Sequence, residues 1–555
     1  MHSETRYRTT LDVSTLPWIR LATWAAVFSG LCLRVWQYAA GTSLWLDELA
    51  VAQNVVTRPI GRLLLSPLAW DQVAPKGFLL AEKLAVALLG ANEYALRLFP
   101  LACSVVALIL FARVAELVLG RAAPIAVALF ATAGPLIDYA ARVKQYSTDV
   151  AITVLLVWLA LDLQRRGRSV RELHGAGLAG AVAVWFSQPS ILVFGALCAA
   201  LVLIAWTRHD GKDRFREWPL LCWWGGAAAA AAVVGLRSMT PATQHYLYGS
   251  YWKEGLLPHS LADALHSAWP LDRLTALLAP GGEASLAYPF PHLYLLLGLF
   301  GAWLLYREDR VATLLVFAPL LAALAAAAVR LYPLSDRLIL FLLPSFFLGA
   351  SAAIDWLRSR ASTVSPYAGI AVVVLLAGSA ILPIVHRPPP YWIDDVKPVL
   401  LYLQQHRLPG DAVYVYYDTG PAISFYAHRF GMREEDYAAG GCHRGDTRAY
   451  LPELDRFRGQ PRVWVLATHA DPRYGERDNI LRYLDAMGRR RDSRVFPSWT
   501  VTGYSTPAEI YLYDLSDMKR LNAISAASFR LDGREDPRPC DHGPTAMAKK
   551  PQDYP

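Results

Sequence analysis

Long apolar stretches recur along the first 386 residues and are separated by short polar segments. A helix of about 20 apolar residues crosses the ~30 Å hydrocarbon core of a bilayer, so this pattern predicts a polytopic α-helical membrane protein. Eleven spans are predicted, at 18–40, 96–119, 122–137, 148–163, 173–188, 189–206, 218–236, 290–306, 311–329, 338–354 and 367–386.

After residue 386 the pattern becomes that of a soluble domain. Short β-branched and aromatic runs alternate with amphipathic stretches, which is typical of a small α/β domain. We predict helices at 394–406, 420–428 and 475–488, and strands at 412–418, 462–468, 495–503 and 508–515. The predicted domains are therefore a transmembrane domain, an α/β domain and a loosely ordered tail, at 1–386, 387–516 and 517–555.

Composition and charge support this division and suggest an orientation. Of the 555 residues 54% are hydrophobic and only 18% charged, against about 25% charged in soluble proteins. The net charge of +8 lies mostly in alternate short loops such as QRRGRSVREL, not in a dense basic run, so we expect no nucleic-acid partner. The positive-inside rule then places the N-terminus inside and, with an odd number of spans, the C-terminal domain outside. The predicted outer loops include two long ones, 41–95 and 237–289, and a shorter one around 138–149.

The cysteines leave one question open. Cys442 and Cys540 lie in the polar C-terminal part and could form a disulfide if that part is exported. Sequence alone does not show that they meet.

Polar groups gather where the predicted outer loops meet the spans. In SLWLDELA, Asp47 and Glu48 are adjacent acids at the membrane face, where they are either a solvated pair at a helix start or part of a site. In VAPKGFLL, Lys76 is suited to bind a phosphate group. The same position also fits a lysine at the membrane interface whose ammonium group only extends into water.

Two further motifs lie at outer span ends. In RVKQYSTD, one helix face would carry Gln145 with Asp149, and another Arg142 with Tyr146, since residues four apart are neighbours on a helix. In SDRLILFLLP, Arg337 departs from the positive-inside trend, which either an anionic headgroup or a plain surface arrangement with Asp336 explains. So many polar groups beside a span favour a site.

Taken in order, these motifs resemble the GT-C superfamily of integral-membrane glycosyltransferases, in particular bacterial relatives of protein O-mannosyltransferases and of the aminoarabinose and galacturonic-acid transferases of lipid A. The resemblance implies a GT-C-like fold in the bacterial cytoplasmic membrane with the active site on the extracytoplasmic side. It also implies a polyprenyl-phosphate-linked sugar donor, a lipid, glycan or protein acceptor, contact with membrane lipids, and inverting transfer.

The resemblance also implies residue roles. Asp47 would be the general base, and Asp149 would orient the acceptor or hold a cation. The residues expected to bind substrate, with the cationic ones neutralising the departing phosphate, are Glu48, Lys76, Arg142, Lys144, Gln145, Tyr146 and Arg337. The family more often has a second proline where this chain has Lys76, and no His-Glu metal pair is evident, so a divalent metal ion is left open as the cofactor.

Two other functions fit a chain of this kind. A flippase for a polyprenyl-linked sugar would need functional polar groups near the middle of the membrane, whereas the clusters here lie at outer span ends. A non-catalytic scaffold would leave Asp47 and Lys76 freely replaceable.

Overall fold

The computed structural model describes residues 17–166, 169–207, 217–279, 284–471, 473–501 and 506–534, together with 536, 538 and 540. The part before residue 387 is built from helices. They are α1 (Pro17–Ala39), α2 (Leu46–Thr57), α3 (Ile60–Leu65), α4 (Lys76–Leu89), α5 (Glu93–Leu119), α6 (Ala123–Thr132), α7 (Gly134–Asp138), α8 (Tyr146–Arg166), α9 (Val170–Ala183), α10 (Ser190–Thr207), α11 (Trp218–Arg237), α12 (Pro241–Tyr246), α13 (Leu261–His266), α14 (Trp269–Leu278), α15 (Pro291–Glu308), α16 (Arg310–Ala328), α17 (Leu343–Ser362) and α18 (Pro366–His386).

Within the described ranges, eight helical segments are long and apolar enough to cross a membrane, which confirms the predicted polytopic class. All eleven predicted stretches lie on helices, but the number eleven is not confirmed. The segment Glu93–Thr132 joins two predicted spans in one apolar length of 40 residues. Helix α9 has only 14 residues, and α15 carries polar residues at both ends.

Helices α15 and α17 pack with their backbones in contact. A Cβ built on Gly301 would lie 1.7 Å from the carbonyl oxygen of Gly349, and one built on Gly349 would lie 2.5 Å from the carbonyl oxygen of Gly298. Small residues allow membrane helices to approach this closely, and van der Waals packing then holds them together. The glycines therefore set the distance between the two helices.

We expect Gly301→Val to lower the thermal stability of the detergent-purified protein, because the added side chain must push α17 away. Overpacking of this kind costs about 1–3 kcal/mol or more. The matched control is Gly225→Val in α11, where a Cβ would meet nothing within 4 Å. Equal melting temperatures for the two variants would contradict the close packing of α15 and α17.

The C-terminal part is an α/β domain, as predicted. Its five-stranded sheet has the order β2–β1–β3–β5–β4; β1 is parallel to β2 and β3, and β5 is antiparallel to β3 and β4. The strands are β1 (Ala412–Val415), β2 (Ala438–Ala439), β3 (Val463–Ala467), β4 (Arg489–Phe496) and β5 (Ala508–Asp514), and the helices are α19 (Val396–His406), α20 (Gly420–Tyr426), α21 (Tyr450–Asp455), α22 (Glu476–Met487) and α23 (Met518–Ala523).

One strand lies earlier than predicted. The prediction placed a strand at 495–503, but β4 begins at Arg489 and has the sequence RRRDSRVF. It lies at the edge of the sheet, where charged side chains protect the open strand from pairing with other chains. Because most of its residues are charged or polar, β4 lacks the alternation of apolar and polar residues by which strands are predicted.

The α/β domain packs on residues 41–95, which connect α1 to the start of α5. The hydroxyl of Tyr426 accepts from the backbone N–H of Leu44 at 2.8 Å, and Arg429 forms an ion pair with Glu93 at 2.8 Å. A buried apolar cluster includes side chains from α2 and α4 together with α19, α20 and the sheet. The domain also contains a disulfide between Cys442 and Cys540, which the sequence had left open.

Candidate functional site

A cavity of about 620 Å³ lies where ends of the apolar helices meet the α/β domain. Its wall combines charged groups with an apolar part from the start of α10 and the end of α11. The polar lining residues include Asp47, Asp71, Gln72, Lys144, Gln145, Tyr146, Asp149, Gln188, Tyr246, Tyr248, Tyr251, Tyr332, Arg337, Arg444, His469, Arg473 and Arg538, and the apolar part includes Ile191, Leu192, Ala232, Leu236 and Met239.

Asp47 lies in the first turn of α2 and contacts two cations. Its Oδ1 is 3.2 Å from Lys144 Nζ, and its Oδ2 accepts from Arg337 Nη2 at 2.9 Å. Lys144 also donates to Gln72 at 2.8 Å, and Arg337 to Tyr251 at 3.1 Å. One carboxylate therefore lies between two positioned positive charges.

The surroundings of Asp47 keep it ionised. Burial alone would raise the pKa of this carboxyl, but Lys144, Arg337 and His469 outweigh burial, so its pKa lies below the ordinary value. The N-terminus of α2 adds the positive end of a helix dipole. Asp47 is thus a carboxylate at neutral pH, as a general base must be.

Glu48, the next residue, faces away from the cavity. Its side chain is fully buried; Arg97 donates to it at 2.8 Å and 3.0 Å, Arg142 at 3.3 Å and the backbone N–H of Val143 at 2.8 Å. Arg142 is itself buried and pairs with Asp138 at 2.9 Å. Glu48 and Arg142 therefore hold the segment before α8 against α2 and do not line the cavity.

The start of α8 brings three predicted residues to the cavity: Gln145, Tyr146 and Asp149. The helix begins only at Tyr146, so the expected helical pairing of Arg142 with Tyr146 is wrong. The pairing of Gln145 with Asp149 holds, because the Gln145 carbonyl accepts from the Asp149 N–H at 2.9 Å. Asp149 Oδ1 is buried and has no hydrogen-bond partner among the described residues.

Lys76 is the first residue of α4 and is not among the residues that line the cavity. Its pKa is lowered from the ordinary value by burial and by the nearby Arg58. The structure thus places Lys76 apart from Lys144 and Arg337, although all three were expected at one phosphate.

The α/β domain contributes four lining residues that sequence reasoning missed: Arg444, His469, Arg473 and Arg538. They come from separate loops, and the first and last of them, Arg444 and Arg538, are 94 residues apart in the chain. His469 follows β3, and its Nδ1 lies 2.8 Å from Asp394 Oδ2. Burial opposes protonation of His469, but Asp394 outweighs it and raises the pKa of the imidazole.

Strained backbone surrounds the cavity. Asp71 and His469, which line it, have φ values of 53° and 58°, and Asp336, next to Arg337, has φ 40°. Non-glycine residues in this region cost on the order of 1–3 kcal/mol each and persist where the surroundings hold them, often at functional sites. The strain is consistent with a site built for chemistry.

The sequence left open whether the site binds a divalent metal ion. Among the residues that the structure describes, no group of three or more His, Cys, Asp and Glu side chains is placed to hold an ion. Both oxygens of Asp47 contact cationic side chains, so these residues do not fit a metal bound at Asp47. Lys144 and Arg337 supply the positive charge there.

Comparison with known proteins gives matches among solved structures. ArnT from Cupriavidus metallidurans bound to undecaprenyl phosphate matches at 12% identity, covering 89% of this chain and 98% of that one, with a TM-score of 0.46. The Archaeoglobus fulgidus oligosaccharyltransferase AglB, in complex with an inhibitory peptide and a dolichol-phosphate, matches at 12% identity over 90% of this chain and 74% of that one, with a TM-score of 0.46. A complex of the A. fulgidus oligosaccharyltransferase with Zn and sulfate matches at 12% identity and a TM-score of 0.46, over 89% and 73%.

No family model matches the chain, and no curated protein matches it. At 12% identity and TM-scores of 0.46, the structural matches do not decide the reaction, which has to be inferred from the cavity itself.

Proposed function

We propose that this chain is a membrane glycosyltransferase that moves a sugar from a polyprenyl-phosphate-linked donor to an acceptor hydroxyl on the outer face of the bacterial cytoplasmic membrane. Asp47 acts as the base in a single inverting displacement. The observation that carries the proposal is the Asp47 carboxylate held between Lys144 and Arg337 in a cavity that also has an apolar wall formed by residues from α10 and α11.

Each part of the cavity matches one need of this reaction. The acceptor hydroxyl loses a proton, which Asp47 accepts when the hydroxyl lies within hydrogen-bond distance. The leaving polyprenyl phosphate is an anion, which Lys144 and Arg337 stabilise as charge develops on it. The apolar residues from α10 and α11 suit the first isoprene units of a lipid carrier, and Asp149 is placed in the same cavity to orient the acceptor.

Asp47 and the donor phosphate compete for the same two cations. Without a donor, Lys144 and Arg337 neutralise Asp47 and weaken it as a base, because a charged partner favours the ionised carboxylate. A bound phosphate draws these cations towards itself and leaves the carboxylate more basic. Donor binding thereby activates the base only when there is a sugar to transfer.

Mass spectrometry of whole-cell glycolipids and glycoproteins tests the proposal. Cells that lack the gene are compared with cells complemented by the wild-type chain. We expect one glycoform to be lost on deletion and restored on complementation. The unmodified acceptor should accumulate in the deletion strain. Identical glycan profiles in the three strains, with the protein expressed, would reject it.

We expect Arg337→Gln to weaken binding of undecaprenyl phosphate to the purified protein and to reduce kcat/KM by about 10- to 150-fold. This range corresponds to the loss of one charge-assisted hydrogen bond, about 1.5–3 kcal/mol. Removing Arg337 also removes a group that lowers the pKa of Asp47, so the acid limb of the kcat/KM–pH profile moves to higher pH.

The matched control for this variant is Arg330→Gln in the same outer loop. Arg330 hydrogen-bonds the carbonyl of Leu257 and does not line the cavity. Undecaprenyl phosphate affinity and an acid limb that stay at wild-type values in Arg337→Gln would contradict the role given to Arg337.

A further inference from the structure

Three arginines of the α/β domain reach the cavity from separate loops. Arg444 follows β2, Arg473 follows β3, and Arg538 lies in the segment closed by the disulfide of Cys540. All three line the cavity that contains Asp47. The reaction derived above uses none of them.

The acids that hold these arginines lie behind them. Arg444 pairs with Asp418 at 3.0 Å and with Asp536 at 3.1 Å, and the side chains of both acids are 1% exposed. Asp536 also pairs with Arg538 at 2.5 Å. The acids are thus withdrawn from the cavity, and they fix the guanidinium groups in place.

The outer two guanidinium groups remain accessible. The side chain of Arg538 is 42% exposed and that of Arg473 is 69% exposed, while its partner Asp471 is 11% exposed. Arginine has five N–H donors in a planar fork, so a group already paired on one edge can bind a second anion on another. The cavity wall here presents donors rather than acceptors.

Tyr246 lines the same cavity as these arginines and Asp47. Burial raises the pKa of Tyr246 to about 12; Asp47 and Asp71 act in the same direction, and Arg444 and Arg538 act against them. The hydroxyl of Tyr246 is thus within electrostatic reach of both the carboxylates and the arginines. An anion held by the arginines would lie in the same cavity as a hydroxyl that Asp47 deprotonates.

We propose that Arg444, Arg473 and Arg538 form a second anion-binding site, which holds a phosphate or carboxylate group of a substrate while Lys144 and Arg337 hold the leaving phosphate. The assignment of the anion to a substrate rests on the proposed function. The substrate is then either an acceptor with an anionic group or a donor with a second one.

Binding measurements on the full-length protein in detergent test the site and separate the two sources. Inorganic phosphate is titrated by calorimetry with and without saturating undecaprenyl phosphate, which occupies the Lys144 and Arg337 side. The test variant is Arg473→Gln/Arg538→Gln, which spares the buried Arg444. The matched control, Arg433→Gln/Arg491→Gln, removes two exposed arginines of the same domain that pair with Glu435 and Asp514.

We expect inorganic phosphate to bind in the presence of undecaprenyl phosphate. The test variant should lower the affinity for phosphate at least tenfold, and the control should leave it unchanged. This result would assign the anion to the acceptor. If undecaprenyl phosphate excludes phosphate and the test variant weakens undecaprenyl phosphate itself at least fivefold, the arginines hold the donor. Unchanged affinities for both probes in a variant that melts like the control overturn the site. None of these outcomes depends on sugar transfer, so failure here is distinct from unchanged glycan profiles.

Discussion

Asp47→Asn is expected to reduce sugar transfer by about 10²- to 10⁴-fold, the range that a positioned general base contributes. Asparagine keeps the shape of the side chain but cannot accept the acceptor's proton. The measurement is transfer rate per folded molecule, with membrane abundance and melting temperature recorded for the same preparation. KM for the donor should change far less than kcat, because the loss lies in the chemical step.

Two companion variants make this result specific. Asp47→Glu retains a carboxylate and should recover part of the rate if its reach allows. Asp272→Asn removes an outer-loop acid that pairs with Arg273 and should leave transfer unchanged. A transfer rate for Asp47→Asn within threefold of wild type would remove Asp47 from the mechanism.

Glu48→Gln is expected to cause the largest loss of stability, about 3–5 kcal/mol, because it leaves Arg97 buried without its counter-charge and removes one of the two acids that pair with the buried Arg142. The loss appears as a lower melting temperature and a shorter half-life in detergent. Transfer per molecule that remains folded should fall much less than in Asp47→Asn. Glu116→Gln is the control, since its exposed pair with Arg113 at 3.3 Å is worth only about 0.3–0.5 kcal/mol.

The Glu48 pair also has a pH signature. Burial raises the pKa of Glu48, but Arg97 and Arg142 outweigh burial and bring it below the ordinary value. A carboxyl whose folded pKa is depressed stabilises the fold above its unfolded pKa and loses that contribution as the pH falls through the folded value. The stability difference between wild type and Glu48→Gln should therefore shrink in acid; a difference independent of pH would contradict the ion-pair account.

The contrast between these two acids marks the limit of the sequence motif. Asp47 and Glu48 are neighbours, and both were expected at the site. On a helix consecutive side chains point about 100° apart, so when Asp47 of α2 faces the cavity Glu48 faces the buried Arg97. Adjacent residues of one motif thus have different roles, and the direction in which each side chain points from the helix determines which role it has.

Much of the cavity could be predicted because it lies where loops meet spans. Lys144, Gln145, Tyr146, Asp149 and Arg337 are polar residues beside long apolar runs, where unpaired charge is unfavourable. That argument identifies residues that reach the cavity because they lie next to the end of a span in the sequence. It also selected Lys76, because the sequence does not tell that α4 contributes no residue to the cavity wall.

The residues of the α/β domain could not be found this way. Arg444, Arg473 and Arg538 follow different elements, and in a domain rich in arginine they do not stand out. They meet because the sheet order and the disulfide bring their loops to one face. Strands β1, β3 and β5 were predictable from their β-branched and aromatic runs. The charged edge strand β4 was placed too late in the chain, and the two-residue β2 (Ala438–Ala439) was not predicted.

The disulfide between Cys442 and Cys540 has a consequence for when the protein becomes competent. Cys540 closely follows Asp536 and Arg538, and Cys442 precedes Arg444 by two residues, so the bond fastens both sides of one cavity wall. Such bonds persist in oxidising compartments and are rare in the reducing cytosol. On the orientation proposed above, a newly made chain would complete this wall only when the α/β domain has been exported and oxidised, so that competence would be timed by delivery to the outer face rather than by synthesis.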